Sequence, residues 1–340
     1  MPRMRTVDAA VRVLEIEGAT QAFGLPGAAI NPFYSAMRAH AGIRHVLARH
    51  VEAASHMAEG YTRARAGNIG ICIGTSGPAG TDMITGLYSA MADSIPILAI
   101  TGQAPVARLH KEDFQAVDIA AIAAPVTKMA MTVLEPGQVP GAFAQAFHLM
   151  RSGRPGPVLI DLPKDILMAE VSYLDAHVRP RAVARYQPLT EPAAEGIKAA
   201  VAAMKRAERP IIYGGGGIVN SGPRASELLT ELAHLTGWPT TLTLMGLGAF
   251  PGDNQRSLDM LGMHGSVYAN YAVDEADLLI AVGVRFDDRV TGKVAEFAQH
   301  GFIVHIDIDP SEINKNKLVH IPIVADVNEA LSQLNEIVEP

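Results

Sequence analysis

Residues 67–74 and the loop they empty into, residues 75–82, constrain the fold more than any other part of the chain. The first run is short and mostly apolar, and reads as a buried strand. The loop is made of glycine and small hydroxyl residues and opens a helix. Ahead of them, residues 48–63 carry Ala54, Ala58 and Thr62 four positions apart. That spacing makes one thin stripe on a helix, which lets another backbone or a flat ligand approach closely. Helix, buried strand, Gly-rich loop, helix is an α/β unit, and its loop lies at the carboxyl end of a strand, where such sheets bind ligands.

The same alternation runs along the chain. Helices are expected near 5–18, 33–40, 79–92 and 138–151, and strands at 21–24, 43–47, 96–101 and 157–161. Residues 166–193 lose the rhythm and read as a linker between a first domain, 1–165, and a second, 194–340. The second opens with an alanine-rich helix over 192–206. Its strand 209–213 runs into Gly214, Gly215, Gly216 and Gly217. Helices near 222–236, 266–272 and 327–338 follow, with extended segments at 240–244, 276–282, 302–308 and 319–324. Strands alternating with helices predict an α/β chain of two doubly wound domains with parallel sheets.

Composition narrows the partners. At 340 residues the chain has room for two domains, and 49% hydrophobic against 19% charged residues argues against disorder. The net charge of -7, with no Lys/Arg run longer than two, leaves no footprint for nucleic-acid phosphates. The single cysteine, Cys72, sits in the apolar strand, reads as a buried structural thiol and fits a reducing cytoplasm. The N-terminus has no apolar signal core, and runs such as residues 95–100 are far too short to span a bilayer.

Arg49 and His50, then Ala54, Ala58, Gly60, Tyr61 and Arg63, followed by Thr75, Ser76, Gly77 and Pro78, resemble the pyrimidine-binding domain of thiamine-diphosphate (ThDP) enzymes. More narrowly they resemble the branch holding glyoxylate carboligase and acetohydroxyacid (acetolactate) synthase. The resemblance implies that Gly24, Leu25, Pro26, Val51, Pro78, Asp82 and Gln115 lie on the ring side of ThDP. Most of the family has a glutamate after the histidine, where this chain has Val51; a valine there points toward the carboligase. Glu52 is no simple substitute, because one residue turns a side chain by about 100° round a helix. Residues 28–33 and 109–115 are also similar to glyoxylate carboligase. Residues 246–251, 260–265, 283–292 and 304–310 are similar to the Rossmann-like central domain of acetolactate synthase.

In the second domain, glycines 214 to 217 between strand and helix let backbone N–H groups approach a pyrophosphate. By itself that is an ordinary glycine-rich turn. With Gly283, Val284, Arg285, Asp307 and Asp326, each in or just after a strand, it forms a dinucleotide site. The resemblance makes that ligand FAD, with Arg154, Thr243, Leu244, Met263, His264 and Asp287 at further contact positions. It also associates Arg289 with substrate, since a guanidinium suits a 2-oxoacid carboxylate. A surface ion pair with Asp287 or Asp288 is the plain alternative. His50, His56 and His264 lack metal-ligand spacing, and no metal ligand is assigned.

The family's Mg²⁺-binding Gly-Asp-Gly motif for the ThDP diphosphate has no counterpart among these residues, so the chain is expected to hold two of three domains. The function implied is joining two 2-oxoacids with loss of CO2, glyoxylate giving tartronate semialdehyde. Acetolactate formation from pyruvate, or an inactive FAD-binding module, are the other readings. The resemblance further implies a cytoplasmic homodimer or homotetramer.

Overall fold

The computed structural model describes residues 3–178 and 188–338. The chain forms two compact units, Met1–Gln187 and Pro188–Pro340.

The first unit runs β1 (Arg3–Arg5), α1 (Thr6–Ile16), β2 (Gln21–Gly24), α2 (Asn31–His40), β3 (Arg44–Leu47), α3 (Val51–Arg63), β4 (Gly70–Gly74), α4 (Pro78–Asp82) and α5 (Ile84–Ala92). It continues β5 (Ile97–Gln103), α6 (Ile119–Ala123), β6 (Met129–Thr132), α7 (Val139–Arg151), β7 (Val158–Pro163), α8 (Lys164–Met168) and β8 (Glu170–Ser172). Six strands pair in parallel in the order β3-β2-β4-β5-β7-β6. Side chains alternate across each strand. Ile71, Ile73, Leu98 and Ile100 thus meet α1, α2 and α7 through Leu14, Phe33 and Phe143 on one face. Cys72, Ile97 and Ala99 meet α3, α5 and α6 through Ala54, Ala58, Leu87 and Ile119 on the other. Helices on both faces explain why β4 is apolar throughout.

The small-residue stripe of α3 is used by a backbone rather than a ligand. A Cβ on Gly70 would run into the backbone of Ala58. Thr62 closes the contact, its Oγ1 accepting from Gly70 N–H at 2.9 Å. The helix expected over 79–92 is broken at Met83, where the chain tightens into a turn (Met83 N–H to Gly80 O, 3.2 Å) and buries the Met83 side chain completely. The expected linker differs as well. Residues 166–172 carry the end of α8 and β8, and β8 pairs antiparallel with β1, Met4 opposite Val171. Charged ends hid this short ribbon from a periodicity argument. Residues 179–187 of that linker lie outside the described residues. The half-buried β6 and the five-residue α6 were also not anticipated.

The second unit runs α9 (Ala194–Met204), β9 (Pro210–Gly214), α10 (Gly216–Asn220), α11 (Pro223–Thr236), β10 (Thr240–Leu242), β11 (Ser257–Met260), α12 (Val267–Glu275), β12 (Leu278–Val282), α13 (Asp288–Thr291), β13 (Phe302–Asp307), β14 (Ile321–Val324) and α14 (Val327–Ile337). Its six parallel strands lie in the order β11-β10-β9-β12-β13-β14, which counts as 3-2-1-4-5-6. That is the doubly wound order of dinucleotide-binding sheets. Ile212, Ile280 and Val304 pack on α9, α11 and α14, while Ile211, Leu279 and Ala281 face α12 and the loop holding Phe286 and Phe297. Among the described residues no helix is long and apolar enough to cross a membrane.

Candidate functional site

In each unit the winding direction reverses between two neighbouring strands, and the crevice outside their carboxyl ends is where open α/β sheets take ligands. In the first unit those strands are β2 and β4. Gly24 ends β2, and a Cβ there would meet Ile73 O and the Tyr34 hydroxyl, so the chain can only cross β4 this closely as glycine. Leu25 N–H donates to Ile73 O at 3.1 Å, and Tyr34 Oη donates to the same oxygen at 3.1 Å. Leu25 is left 38% exposed on the rim, with Pro26 next to it.

Across the crevice, His50 caps α3. Its Nδ1 accepts from Glu52 N–H at 3.3 Å, and its Nε2 lies 3.4 Å from Asp82 Oδ2. Val51 is the first residue of α3 and is 3% exposed, in the cluster with Phe23, Ala48, Ala54 and Met83. The Glu52 carboxylate is turned to His50, with Oε2 3.9 Å from Nδ1. Pro78 starts α4 after Gly77, whose φ of 66° only glycine adopts easily. Gln115 reaches this loop from residues 104–118: its Oε1 accepts from Ser76 Oγ at 3.3 Å, and a Cβ on Gly77 would lie 2.7 Å from Gln115 Cβ. The Nε2 donors of Gln115 have no protein partner among the described residues. The sheet therefore brings Gly24, Leu25, Pro26, Val51, Pro78, Asp82 and Gln115 to one edge.

Arg154 is elsewhere. It precedes β7 at the amino-terminal edge of this sheet, its Nε donating to Ser94 Oγ at 2.8 Å. Arg154 thus lies away from the carboxyl-end crevice of its own sheet.

In the second unit the reversal falls between β9 and β12, which end at Gly214 and Val282. The two following turns are laced together: Gly215 N–H donates to Val282 O at 2.9 Å and Gly217 N–H to Gly283 O at 3.0 Å. A Cβ on Gly283 would stand 2.7 Å from Gly217 Cα. The glycines are demanded first by this backbone contact. Gly216 faces Met245, whose Cβ would be 3.0 Å from an added Cβ. Thr243 N–H donates to Gly214 O at 2.9 Å, and its Oγ1 accepts from Gly246 N–H at 3.0 Å, leaving Leu244 67% exposed.

Three carboxylates mark the carboxyl ends of successive neighbours β12, β13 and β14. Asp287 caps α13 (from Arg289 N–H, 3.0 Å), Asp307 ends β13, and Asp326 caps α14 (from Asn328 N–H, 2.8 Å). Val284 is buried and its oxygen accepts from His305 Nε2 at 2.8 Å; Arg285 is half-buried. Burial lowers the His305 pKa. Arg289 pairs at the surface with Asp288 (3.1 Å) and touches the exposed Met263 through Sδ at 3.8 Å. His264 is exposed. The surface ion pair is therefore the observed state of Arg289, and such pairs are weak enough to exchange for another carboxylate.

The sequence reading missed a buried network behind the first crevice. Asp161 in β7 is fully buried and accepts from Thr101 Oγ1 (2.7 Å), Gln103 Nε2 (3.0 Å) and Thr132 Oγ1 (3.0 Å). Burial pushes its carboxyl up to about 6, partly offset by those three donors. A carboxylate inside an apolar strand was the available signal.

Known families match both units. The thiamine pyrophosphate enzyme N-terminal TPP binding domain matches residues 4–122, and the thiamine pyrophosphate enzyme central domain matches residues 197–334. The chain belongs to the thiamine-pyrophosphate enzyme family. It is 56% identical to glyoxylate carboligase from Escherichia coli O157:H7, over all of this chain and 56% of that protein. It is 44% identical to a probable acetolactate synthase large subunit from Methanocaldococcus jannaschii, over 97% of this chain and 56% of the other. Acetolactate synthase 2 of Nicotiana tabacum is 47% identical over 98% of this chain and 49% of its own length. The chain spans about half the length of the curated relatives it matches.

Proposed function

We propose that the chain provides the pyrimidine-side and flavin-side units of a ThDP-dependent carboligase that joins two 2-oxoacids with loss of CO2, with glyoxylate as the preferred substrate. The observation that carries the reading is Val51: an apolar side chain that opens α3 just after β3 and packs with Phe23 and Met83, with the Glu52 carboxylate 3.9 Å from the His50 ring. Bound there, ThDP would supply the carbanion that attacks a carbonyl carbon. The chain's own residues would hold its pyrimidine ring. Leu25, Pro26, Val51 and Pro78 offer apolar surface, and the Gln115 amide offers donors. With a valine at position 51, no carboxylate from that position meets the ring, at the expense of a base for proton removal.

FAD is assigned to the second unit. The 3-2-1-4-5-6 sheet supports a dinucleotide at its reversal, where the glycines keep the two turns close together, and the acids after β12, β13 and β14 support a ligand extended along that edge. Gly214, Gly215, Gly216, Thr243, Leu244, Gly283, Val284, Arg285, Asp287, Asp307 and Asp326 would line it, with Met263, His264 and Arg289 at the outer rim; Arg154 belongs to the first unit and is not assigned to this site. Arg289 is the residue proposed to take a substrate carboxylate. The assembly is proposed to be a homodimer or homotetramer in the cytoplasm.

The test uses the protein as expressed from its gene. It should purify yellow with FAD, and CO2 release should be faster with glyoxylate than with pyruvate. Preference for pyruvate would transfer the reading to acetolactate synthesis. A colourless protein that cannot be loaded with FAD would remove the flavin assignment.

A further inference from the structure

The segment between β5 and α6 is held in a conformation it would not choose alone. His110, Glu112 and Gln115, three non-glycine residues within six positions, have φ of 58°, 53° and 61°. Each such residue is disfavoured by about 1 kcal/mol or more, so the loop relaxes unless something holds it. One tie is at the surface, where Arg108 pairs with Asp113 at 2.7 Å; exposed pairs contribute little.

The buried tie is Gln103, which is 3% exposed and uses its amide three times. Its Oε1 accepts from Ala104 N–H at 2.9 Å, and Nε2 donates to Val117 O at 2.8 Å and to Asp161 Oδ2 at 3.0 Å. Val117 N–H in turn donates to Gln115 O at 3.0 Å. Gln103 therefore grips both ends of the loop, and Asp161 supplies the second acceptor for its buried NH2. Without that carboxylate one buried N–H of Gln103 has no acceptor, and the amide that holds both ends loses its anchor to the sheet.

We propose that Asp161 is a positioning residue: through Gln103 it clamps residues 104–118 and so sets Gln115 against Ser76 and Gly77. The link to cofactor binding rests on the reading of Gln115 as a ring-side residue; the clamp itself does not.

The experiment is amide hydrogen exchange on the unliganded 340-residue chain, with ThDP affinity measured separately in the presence of Mg²⁺. Asp161→Val and Gln103→Leu should each speed exchange in residues 104–118 by about tenfold, and the double variant should add little more. Thr132→Val removes another donor to Asp161 without touching Gln103, so it should lower overall protection while leaving residues 104–118 no faster than the rest. Asp161→Asn can turn its oxygen to Gln103 and its NH2 to the Thr101 hydroxyl, and should keep the loop protected. If Asp161→Val does not fold, the contrast between Gln103→Leu and Thr132→Val decides. Equal loosening by Thr132→Val, or Asp161→Val acting no more on residues 104–118 than on α7, overturns the clamp. A loosened loop with unchanged ThDP affinity leaves the clamp standing and refutes Gln115 as a cofactor contact.

Discussion

Replacing Gly283 by alanine isolates the contact on which the second unit's crevice depends. The added Cβ would sit 2.7 Å from Gly217 Cα, a backbone atom that cannot swing away, and φ at Gly283 is 58°. The left-handed backbone contributes about 1 kcal/mol of destabilisation. Moving the two turns apart stretches Gly217 N–H to Gly283 O (3.0 Å) and Gly283 N–H to Ile306 O (2.8 Å). Losing one or two such bonds adds about 1 kcal/mol each, for a total of about 2–3 kcal/mol. Gly237 is the control: its φ is 74°, nothing lies within 4 Å of its Cβ position, and alanine there should remove only about 1 kcal/mol. Trp238, the only tryptophan, packs on this unit's core and reports its urea unfolding by fluorescence. Because Gly217→Ala makes the same clash from the other side, the double variant should lose less than the sum. If Gly283→Ala unfolds no earlier than Gly237→Ala, the close backbone contact is not what the turn requires.

Other consequences concern buried charge. Asp161 has a folded-state pKa raised from 3.8 to about 6, so the folded form binds the extra proton and stability declines as pH rises from about 4 to about 6, by about 3 kcal/mol. Asp161→Asn should flatten that slope in denaturation followed by hydrogen exchange of β7; an unchanged slope would assign it to another group. His305 behaves oppositely. Its pKa is lowered by burial, so the folded unit binds fewer protons and Trp238-detected stability should fall as pH drops below about 6.5, an effect His305→Gln should remove. Val51→Glu puts a carboxyl into an apolar cluster and should lower stability by about 2–4 kcal/mol without ligand. ThDP with Mg²⁺ should restore part of the loss if a ring nitrogen meets the new group, and melting with and without cofactor measures it.

Strand identity and the places of the two crevices were legible because they rest on local chemistry. Apolar runs such as β4 and β12 can only be strands covered on both faces, and the glycines after β9 and β4 announce turns at strand ends. What failed was marginal: the β1–β8 ribbon, β6 and β11 are short and half-exposed, so burial leaves no periodic mark on them. The helix break at Met83 was invisible because its cause is the packing of that side chain beneath Gly74.

Composition and pattern, then, determined an α/β chain with glycine- and proline-rich loops after β2, β4, β9 and β12, since hydrophobic period and turn residues act over a few positions. Strand order was decided only in three dimensions, because parallel neighbours come from crossovers whose pairing no local residue encodes. The same holds for the purpose of the small residues. The pattern left open whether Ala58 and Gly217 make room for a ligand or for the chain itself, and folding fills each with backbone, from Gly70 and Gly283. The Asp161–Gln103 clamp joins residues 58 apart in sequence, and only folding places that carboxylate where its charge can hold a distant loop.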